Sequence, residues 1–274
     1  MINVDILIVT FYSDLDVLNK VLKNLSNAIS ACSSASFRVT IVDNSYGQDI
    51  SYFENLKLLI ASNSLDINLH KSSSNIGFGC ANNLAFNLVH KKHPFSDFIL
   101  VLNPDVFVSF NSLNDALKIM SNHPDFGLLL PRFKSDSGQD LFLSKRYPSI
   151  LILFLRGFGP VWLKKLFQSA IDEYDLKDLS PDKPHQESIV GSGAFFFIRT
   201  NIWKSLGGFD SRFFLYFEDF DLIYRAKKIT KVAYEPFVEV VHLGGHTSKK
   251  GIVHIKYFFR SAWHFFIKNG WKFL

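Results

Sequence analysis

What most constrains this chain is an alternation of uniformly apolar runs with amphipathic ones through its first half. "VDILIVTFY" (4–12) is β-rich and apolar throughout, as a strand buried on both faces must be. "SDLDVLNKVLKNLSNAI" follows, with Leu15, Leu18, Val21, Leu22 and Leu25 at helical spacing and Ser13 or Asp14 placed to cap it. The pattern repeats in "FRVTIVDNS" (37–45), a short strand near 67–69, a Gly-bearing turn opening a helix in "NIGFGCANNLAFNLVHKKH", "DFILVLNPDVFV" (97–108), the helical "NSLNDALKIMSNHP" and the strand "FGLLLP". Such βαβα alternation predicts an α/β fold with a mostly parallel central sheet and helices on both faces. Ligands of such sheets sit at the carboxyl ends of the strands. Here those ends carry Thr10-Phe11-Tyr12, Asp43-Asn44-Ser45 and Asn103-Pro104-Asp105.

The second half is less regular. Residues 134–188 mix loops with the apolar, basic "ILILFLRGFGPVWLKKLF"; then come the strand "SIVGSGAFFFIR", the short helix "NIWKSLGGFD", the acid-bearing "SRFFLYFEDFDLIYR", and "KVAYEP" and "VEVVHLGGHTS". With 274 residues and 47% apolar content the chain can bury a large core. The division expected is 1–133, 134–248 and a tail from 249 to 274. Two cysteines without metal-ligand spacing, Cys32 and Cys80, fit a reducing compartment. "MINVDILIVTFY" lacks a basic leader and reads as a first strand, not a signal peptide, and no stretch has the length of a transmembrane helix.

The net charge of +5 is unevenly placed: residues 249–274 hold six Lys/Arg and no acid, leaving the remainder near neutral. A nucleic-acid-binding domain would carry its positive patch on the folded body, so no nucleic-acid partner is expected.

Several polar residues have a possible chemistry and a plain structural alternative. Asp105, fixed after Pro104 at a strand end, can hold a divalent cation against a diphosphate or simply close its own turn. Asp43 can accept the N3–H of a pyrimidine base, because an ionised carboxylate only accepts, or can end its strand. "SNIGFGCANN" lacks the third glycine of a dinucleotide fingerprint and does not follow the first strand; a helix-opening turn explains it as well. In "EDFDLIYRAKK" a helix start accounts for Glu218 and lets Asp221 pair with Arg225 four residues on. Asp219 projects about 100° away from Glu218; walled by aromatics, it suits a general base of raised pKa. His242, and less so His246, can complete a metal site with Asp105 or serve the structure alone.

In order along the chain, "TFY", "VDNS", "NIGFGCANN", "LNPDV", "GSGAFFFIR", "GGFDSRFFLYFEDFDLIYR" and "VVHLGGHTS" resemble the family-2 inverting glycosyltransferases, specifically the bacterial rhamnosyltransferase-like branch of O-antigen and polysaccharide synthesis. The resemblance spans roughly residues 4–248, with Arg260 and Lys268 family-like beyond it. It implies a nucleotide-diphospho-sugar transferase (GT-A) fold, with the donor bound in the first part of the chain and the acceptor in the second. It places Thr10, Tyr12, Asp43, Asn75, Gly77, Asn83 and Asp105 at the donor, Asp105 and His242 on a divalent metal (Mg²⁺ or Mn²⁺), and Asp219 as catalytic base. Glu218, Asp221 and Arg225 become supports or acceptor contacts. Asn103 departs from the family's first metal-binding Asp, and an amide oxygen is the weaker ligand.

The implied activity is transfer of a sugar, first L-rhamnose from dTDP-rhamnose, second a hexose from a UDP-sugar such as UDP-galactofuranose, onto a polyprenyl-diphosphate-linked glycan. A non-catalytic nucleotide-sugar or glycan-binding module of the same fold is the alternative. A sugar nucleotidyltransferase shares the sheet but needs a glycine-rich basic loop after its first strand, where this chain has "VTFYSDLD". In "HIKYFFRSAWHFFIKNGWKFL", Lys256, Arg260, His264, Lys268 and Lys272 recur every fourth residue among aromatics. The pattern suits an interfacial helix on an anionic leaflet or a helix packed on the body. The expected location is peripheral, at the cytoplasmic face of a bacterial inner membrane.

Overall fold

The computed structural model describes residues 1–45, 50–187, 190–244 and 251–274. The first half runs β1 (Ile2–Thr10), α1 (Leu15–Ser30), β2 (Ala35–Asp43), α2 (Ile50–Ala61), β3 (Ile67–Lys71), α3 (Phe78–His90), β4 (Phe98–Leu102), β5 (Val106–Val108), α4 (Ser112–Asn122) and β6 (Phe126–Lys134). The second runs β7 (Asp140–Leu141), β8 (Ser144–Lys145), α5 (Ile150–Phe158), α6 (Val161–Leu166), α7 (Gln168–Tyr174), β9 (Val190–Gly191), β10 (Phe195–Arg199), α8 (Thr200–Leu206), α9 (Glu218–Lys227), β11 (Lys231–His242) and α10 (Ile252–Asn269). His246 lies outside the described residues.

The main sheet has the order β3-β2-β1-β4-β10-β6-β11-β5, with β7 paired to β6. β3, β2, β1 and β4 are parallel, and so are β6 and β11. β10 runs antiparallel between β4 and β6, and β5 antiparallel beside β11, so the sheet is mixed. β10 therefore joins both halves of the chain into one sheet. "DFILVLNPDVFV", read as one strand ending in a turn, divides at Asn103-Pro104-Asp105: β4 stays central and β5 crosses to the edge. Residues 134–188 hold three helices that their mixed polarity had concealed.

The strands' alternation feeds a core on each face. Val4, Ile6 and Ile8 face α1 and α4 with Leu18, Leu22, Leu113 and Leu117; Leu7 and Val9 face α3, α8 and α9 with Ala81, Trp203 and Leu222. Asp14 caps α1, accepting from the Asp16 and Val17 amides at 2.9 and 3.1 Å. Asp5, buried in β1, is compensated by Arg38 at 2.6 Å and His90 at 3.0 Å. Burial pushes its pKa up, and the bonds from His90, Arg38 and Ser96 more than reverse this.

A third core seats the tail. Ala262, Phe265 and Phe266 of α10 are buried against Phe213 and Phe217. Lys268 turns inward to Asp210 at 2.7 Å and Asp221 at 2.6 Å. His264 lies edge-on to Phe213, 4.9 Å between ring centres. The basic stripe expected along this helix thus loses Lys268 and His264 to the body, while Lys256, Arg260 and Lys272 stay exposed. The tail packs on the protein with one face and leaves Phe259, Trp263 and Ile267 uncovered on another. No described helix is long and apolar enough to cross a membrane.

Asp221 is fully buried and bound by both Lys268 and Arg225. Stripping a buried charge of its partner costs ~3–5 kcal/mol, and Arg225 remains, so Lys268→Met should cost about 2 kcal/mol in urea unfolding. Lys272→Met, at an exposed site, should stay within about 0.5 kcal/mol. Equal losses in the two would disprove the anchoring role of Lys268.

Candidate active site

At the ends of β1 and β2, register pairs Thr10 with Asp43. Asp43 is fully buried; its Oδ1 accepts from Thr10 Oγ1 at 3.1 Å and from Ser45 Oγ at 2.8 Å. Its Oδ2 is buried without a partner. An unpaired buried carboxylate oxygen is expensive, and one aimed at a ring N–H would be satisfied on binding. Tyr12, at φ +46°, packs its ring 5.4 Å from that of Tyr52, and its amide donates to Ser45 Oγ at 2.9 Å. The Tyr52 hydroxyl accepts from the Ser13 amide at 2.9 Å; burial, then the Asp43 charge, raises its pKa, so it stays neutral. Tyr52 is the site-lining residue that sequence reading passed over, since it lies on α2, a helix without a clear apolar stripe.

The turn before α3 closes the same rim. Asn75 Oδ1 accepts from Asn44 Nδ2 at 2.8 Å and from the Gly77 amide at 3.0 Å. Gly77 has φ +84°, and a Cβ there would sit 2.2 Å from the Phe214 carbonyl oxygen. Only glycine permits both the conformation and the approach. The Asn83 side chain is occupied by the backbone of Phe209, donating at 2.8 Å and accepting at 2.9 Å, and so fixes the loop that leads to α9.

The strand crossing brings Asp105 to His242. Register pairs Val106 with His242, and Asp105 Oδ2 lies 3.4 Å from His242 Nε2. Neighbouring ligands on an octahedral ion with bonds of ~2.1 Å are about 3 Å apart, so the pair has usable spacing. Asn103 Oδ1 is buried and unpartnered two residues away. No cluster of three or more His, Cys, Asp or Glu occurs among the described residues. The donor set therefore fits a hard cation whose other ligands come from diphosphate and water, the usual state of Mg²⁺.

The acids of α9 lie across a short backbone bridge from this turn. The Asn103 amide donates to the Ala194 carbonyl at 2.9 Å, and the preceding Gly193 amide donates to Asp219 Oδ2 at 3.0 Å. Asp219 Oδ1 accepts from the Phe220 amide at 2.9 Å. Tyr216 and Phe217, just before, both have positive φ, 68° and 64°. Such strain costs of order 1–3 kcal/mol per residue, here held in place by packing of Phe217 against Phe220, Phe258 and Phe265.

The three acids have different environments. Burial raises the Asp219 pKa to about 6, against the pull of the backbone amides of Gly193, Phe220 and Asp219 itself. Glu218 is buried with Oε2 unpartnered; burial and then the Asp219 charge push it well above the usual carboxylate range. Glu218 therefore keeps its proton and Asp219 carries the charge near neutral pH. Asp221 is spent on Arg225, which also donates to the carbonyls of Leu206 and Gly208 at 2.7 and 2.8 Å. Asp219 opens on a cleft of ≈ 360 Å³ between α5, α7 and α10, with Lys145, Arg156, Tyr216 and Phe258 in its walls.

No family model matches the chain. Among curated proteins it is similar to the N-acetylglucosaminyl-diphospho-decaprenol L-rhamnosyltransferase of Mycobacterium tuberculosis, 28% identical over 219 residues, covering 75% of this chain and 69% of that protein. It is also similar to rhamnosyltransferase WbbL of Escherichia coli, 24% identical over 208 residues, covering 72% and 70%. Among solved structures, GalNAc-T7 with UDP, GalNAc and Mn²⁺ superposes with TM-score 0.59 at 13% identity over 93% of this chain and 46% of that one. TarS 1–349 of S. aureus gives 0.54 at 15% over 88% and 60%. Mannosyltransferase PcManGT from Pyrobaculum calidifontis, with GDP-Man and Mn²⁺, gives 0.54 at 13% over 89% and 57%. The chain spans from about half to three fifths of the length of these three structures. In fold the chain has the architecture of the GT-A glycosyltransferases, and in sequence it is similar to proteins named as rhamnosyltransferases.

Proposed function

We propose that the chain is an inverting glycosyltransferase that moves L-rhamnose from dTDP-rhamnose to a hydroxyl of a glycan carried on polyprenyl diphosphate. The observation that carries this is the bridge from Asn103 through Ala194 and Gly193 to Asp219, which sets an ionised carboxylate beside the Asn-Pro-Asp turn. Asp219 takes the proton from the acceptor hydroxyl as its oxygen attacks the anomeric carbon from the face opposite the leaving diphosphate. One base suffices for inversion, and no nucleophilic side chain is needed. Glu218, protonated, adds no second charge to repel the first. Asp43 Oδ2 accepts the base N–H, Thr10 and Ser45 hold that carboxylate still, and Tyr12 and Tyr52 wall the nucleoside. Asn75, Gly77 and Asn83 shape the donor rim.

Asp105 and His242, with Asn103 beside them, would hold Mg²⁺ or Mn²⁺, which when bound neutralises charge developing on the leaving diphosphate. The rhamnosyltransferase of M. tuberculosis is named for a decaprenyl-diphosphate acceptor, which supports a lipid-linked acceptor here. The exposed Phe259 and Trp263 of α10 lie among the exposed bases Lys256, Arg260 and Lys272. This pairing of apolar and basic groups supports a peripheral position on the anionic cytoplasmic face of a bacterial inner membrane.

Each part of the reading has a measurement. dTDP with Mg²⁺ or Mn²⁺ should raise the melting temperature by about 5 °C or more at a hundredfold excess over Kd, and chelator should shrink the shift. A larger shift with UDP would move the donor to a UDP-sugar, and none with any nucleotide would remove the reading. Asp219→Asn should lower turnover ~10²–10⁴-fold with the dTDP shift intact. Because the base acts ionised, wild-type kcat/KM should fall tenfold per pH unit below pH about 6; a flat profile there would exclude Asp219 as the titrating base. In sedimentation with phosphatidylglycerol vesicles, Trp263→Ser combined with Phe259→Ser should release the protein, and added salt should weaken what remains. Undiminished binding would exclude this face of α10 as the contact.

A further inference from the structure

The cleft beside Asp219 contains two cations that the catalytic reading leaves unused. Lys145, 8% exposed, and Arg156 of α5 both donate to the same oxygen, Oδ1 of the buried Asp175. One carboxylate cannot neutralise two cations, so the group has an excess positive charge inside a concave site. The crowding is costly: burial, then the neighbouring Arg156 charge, lowers the Lys145 pKa to about 8. Arg156 bonds Asp175 through Nη1 alone, and among the described residues no hydrogen-bond partner faces its Nε or Nη2. A half-open guanidinium with a free edge, next to a second cation, is what bidentate recognition of phosphate oxygens requires.

The surroundings say which phosphate. α5 holds Arg156 toward Asp175 and the cleft, while Phe154 and Phe158, two residues to either side, are half-exposed. The Phe158 ring stacks on Phe259 of α10 at 5.7 Å, and their chain neighbours Gly157 and Phe258 line the cleft, so aromatic surface lies beside it. Trp162 and Leu166 of α6, the helix that follows, are 68% and 72% exposed. Anionic ligand atoms thus meet cations inside, and apolar ligand atoms meet aromatics outside.

Resting on the glycosyl-transfer reading above, we propose that Arg156 and Lys145 form the subsite for the diphosphate of a lipid-linked acceptor, holding its first sugar at Asp219 while the lipid leaves over Phe158 and Phe259. The subsite is separate from Asp105 and His242, which serve the donor's diphosphate, and it needs no metal.

The test is binding of farnesyl diphosphate to the full chain in chelator, with inorganic diphosphate and farnesol as comparisons. Farnesyl diphosphate should bind more tightly than either. Arg156→Gln should weaken it ~10–100-fold, the loss expected for charge-assisted hydrogen bonds, and Arg156→Lys by less. Both variants should keep the wild-type melting temperature within a few degrees and an unchanged dTDP shift. In Arg156→Gln the KM for a diphosphate-linked acceptor should rise by a larger factor than the KM for an uncharged glycoside acceptor. Equal binding by wild type and a folded Arg156→Gln would overturn the subsite. Inorganic diphosphate binding as tightly as farnesyl diphosphate would overturn its lipid-linked source. A lost dTDP response with farnesyl diphosphate binding retained would defeat the transferase reading and leave the subsite standing.

Discussion

The Gly193 amide holds Asp219 at 3.0 Å, and the next residue's carbonyl, that of Ala194, holds the Asn103 amide at 2.9 Å. Much of the site's arrangement follows from these two bonds. They exist because β10 enters the sheet antiparallel beside β4, with Phe195 in register with Leu102. The start of one strand therefore lies against the end of the other, and the second half of the chain delivers its carboxylate to the turn made by the first. A Cβ on Gly193 would lie 3.1 Å from the Asp219 Cβ and 3.3 Å from the Phe78 ring. The approach is tight on both sides, which is why a glycine serves there.

The run of acids in "FEDFD" has a physical answer in three different solvations. Asp221 is bound by Arg225 and Lys268, Glu218 keeps its proton for want of a partner, and Asp219 lies between them, its charge stabilised by backbone donors and destabilised by burial. Two carboxylates so close separate their pKa values, and the one with hydrogen-bond donors takes the charge. The left-handed Tyr216 and Phe217 set the angle at which α9 starts, and so which of the acids faces the cleft.

How far this was legible in sequence differs by element. β1, α1, β2, α3, β4, α4 and β6 follow from periodicity, because buried strands and one-sided helices leave an unambiguous pattern. The Asp221–Arg225 pair follows from helical spacing alone. The division of "DFILVLNPDVFV" does not: nothing in a continuous apolar run marks the crossover to the edge, and only long-range pairing with β11 settles it. Helices α5 to α7 were hidden because α5 and α6 expose apolar residues to one side, which defeats a pattern that assumes water there. Of the site, Asp105, Asp219 and His242 were visible as polar residues at strand and helix ends. Tyr52, Lys145, Arg156 and Asp175 were not, since each matters through a neighbour distant in sequence.

The tail presented two readings, packed or interfacial, and the structure joins them in one helix. Phe265 and Phe258 pack on Phe217, the residue that starts α9, and Lys268 binds Asp221 two residues beyond Asp219. The seat of α10 and the placement of Asp219 are thus the same set of contacts. The opposite face of α10 is left apolar and basic, and through Phe259 it meets Phe158, next in the chain to Gly157 of the Asp219 cleft. Whatever covers that face lies next to the cleft onto which Asp219 opens. A helix that only completed the core would have no reason to keep Trp263 61% exposed, and one that only touched lipid would have no reason to direct Lys268 inward.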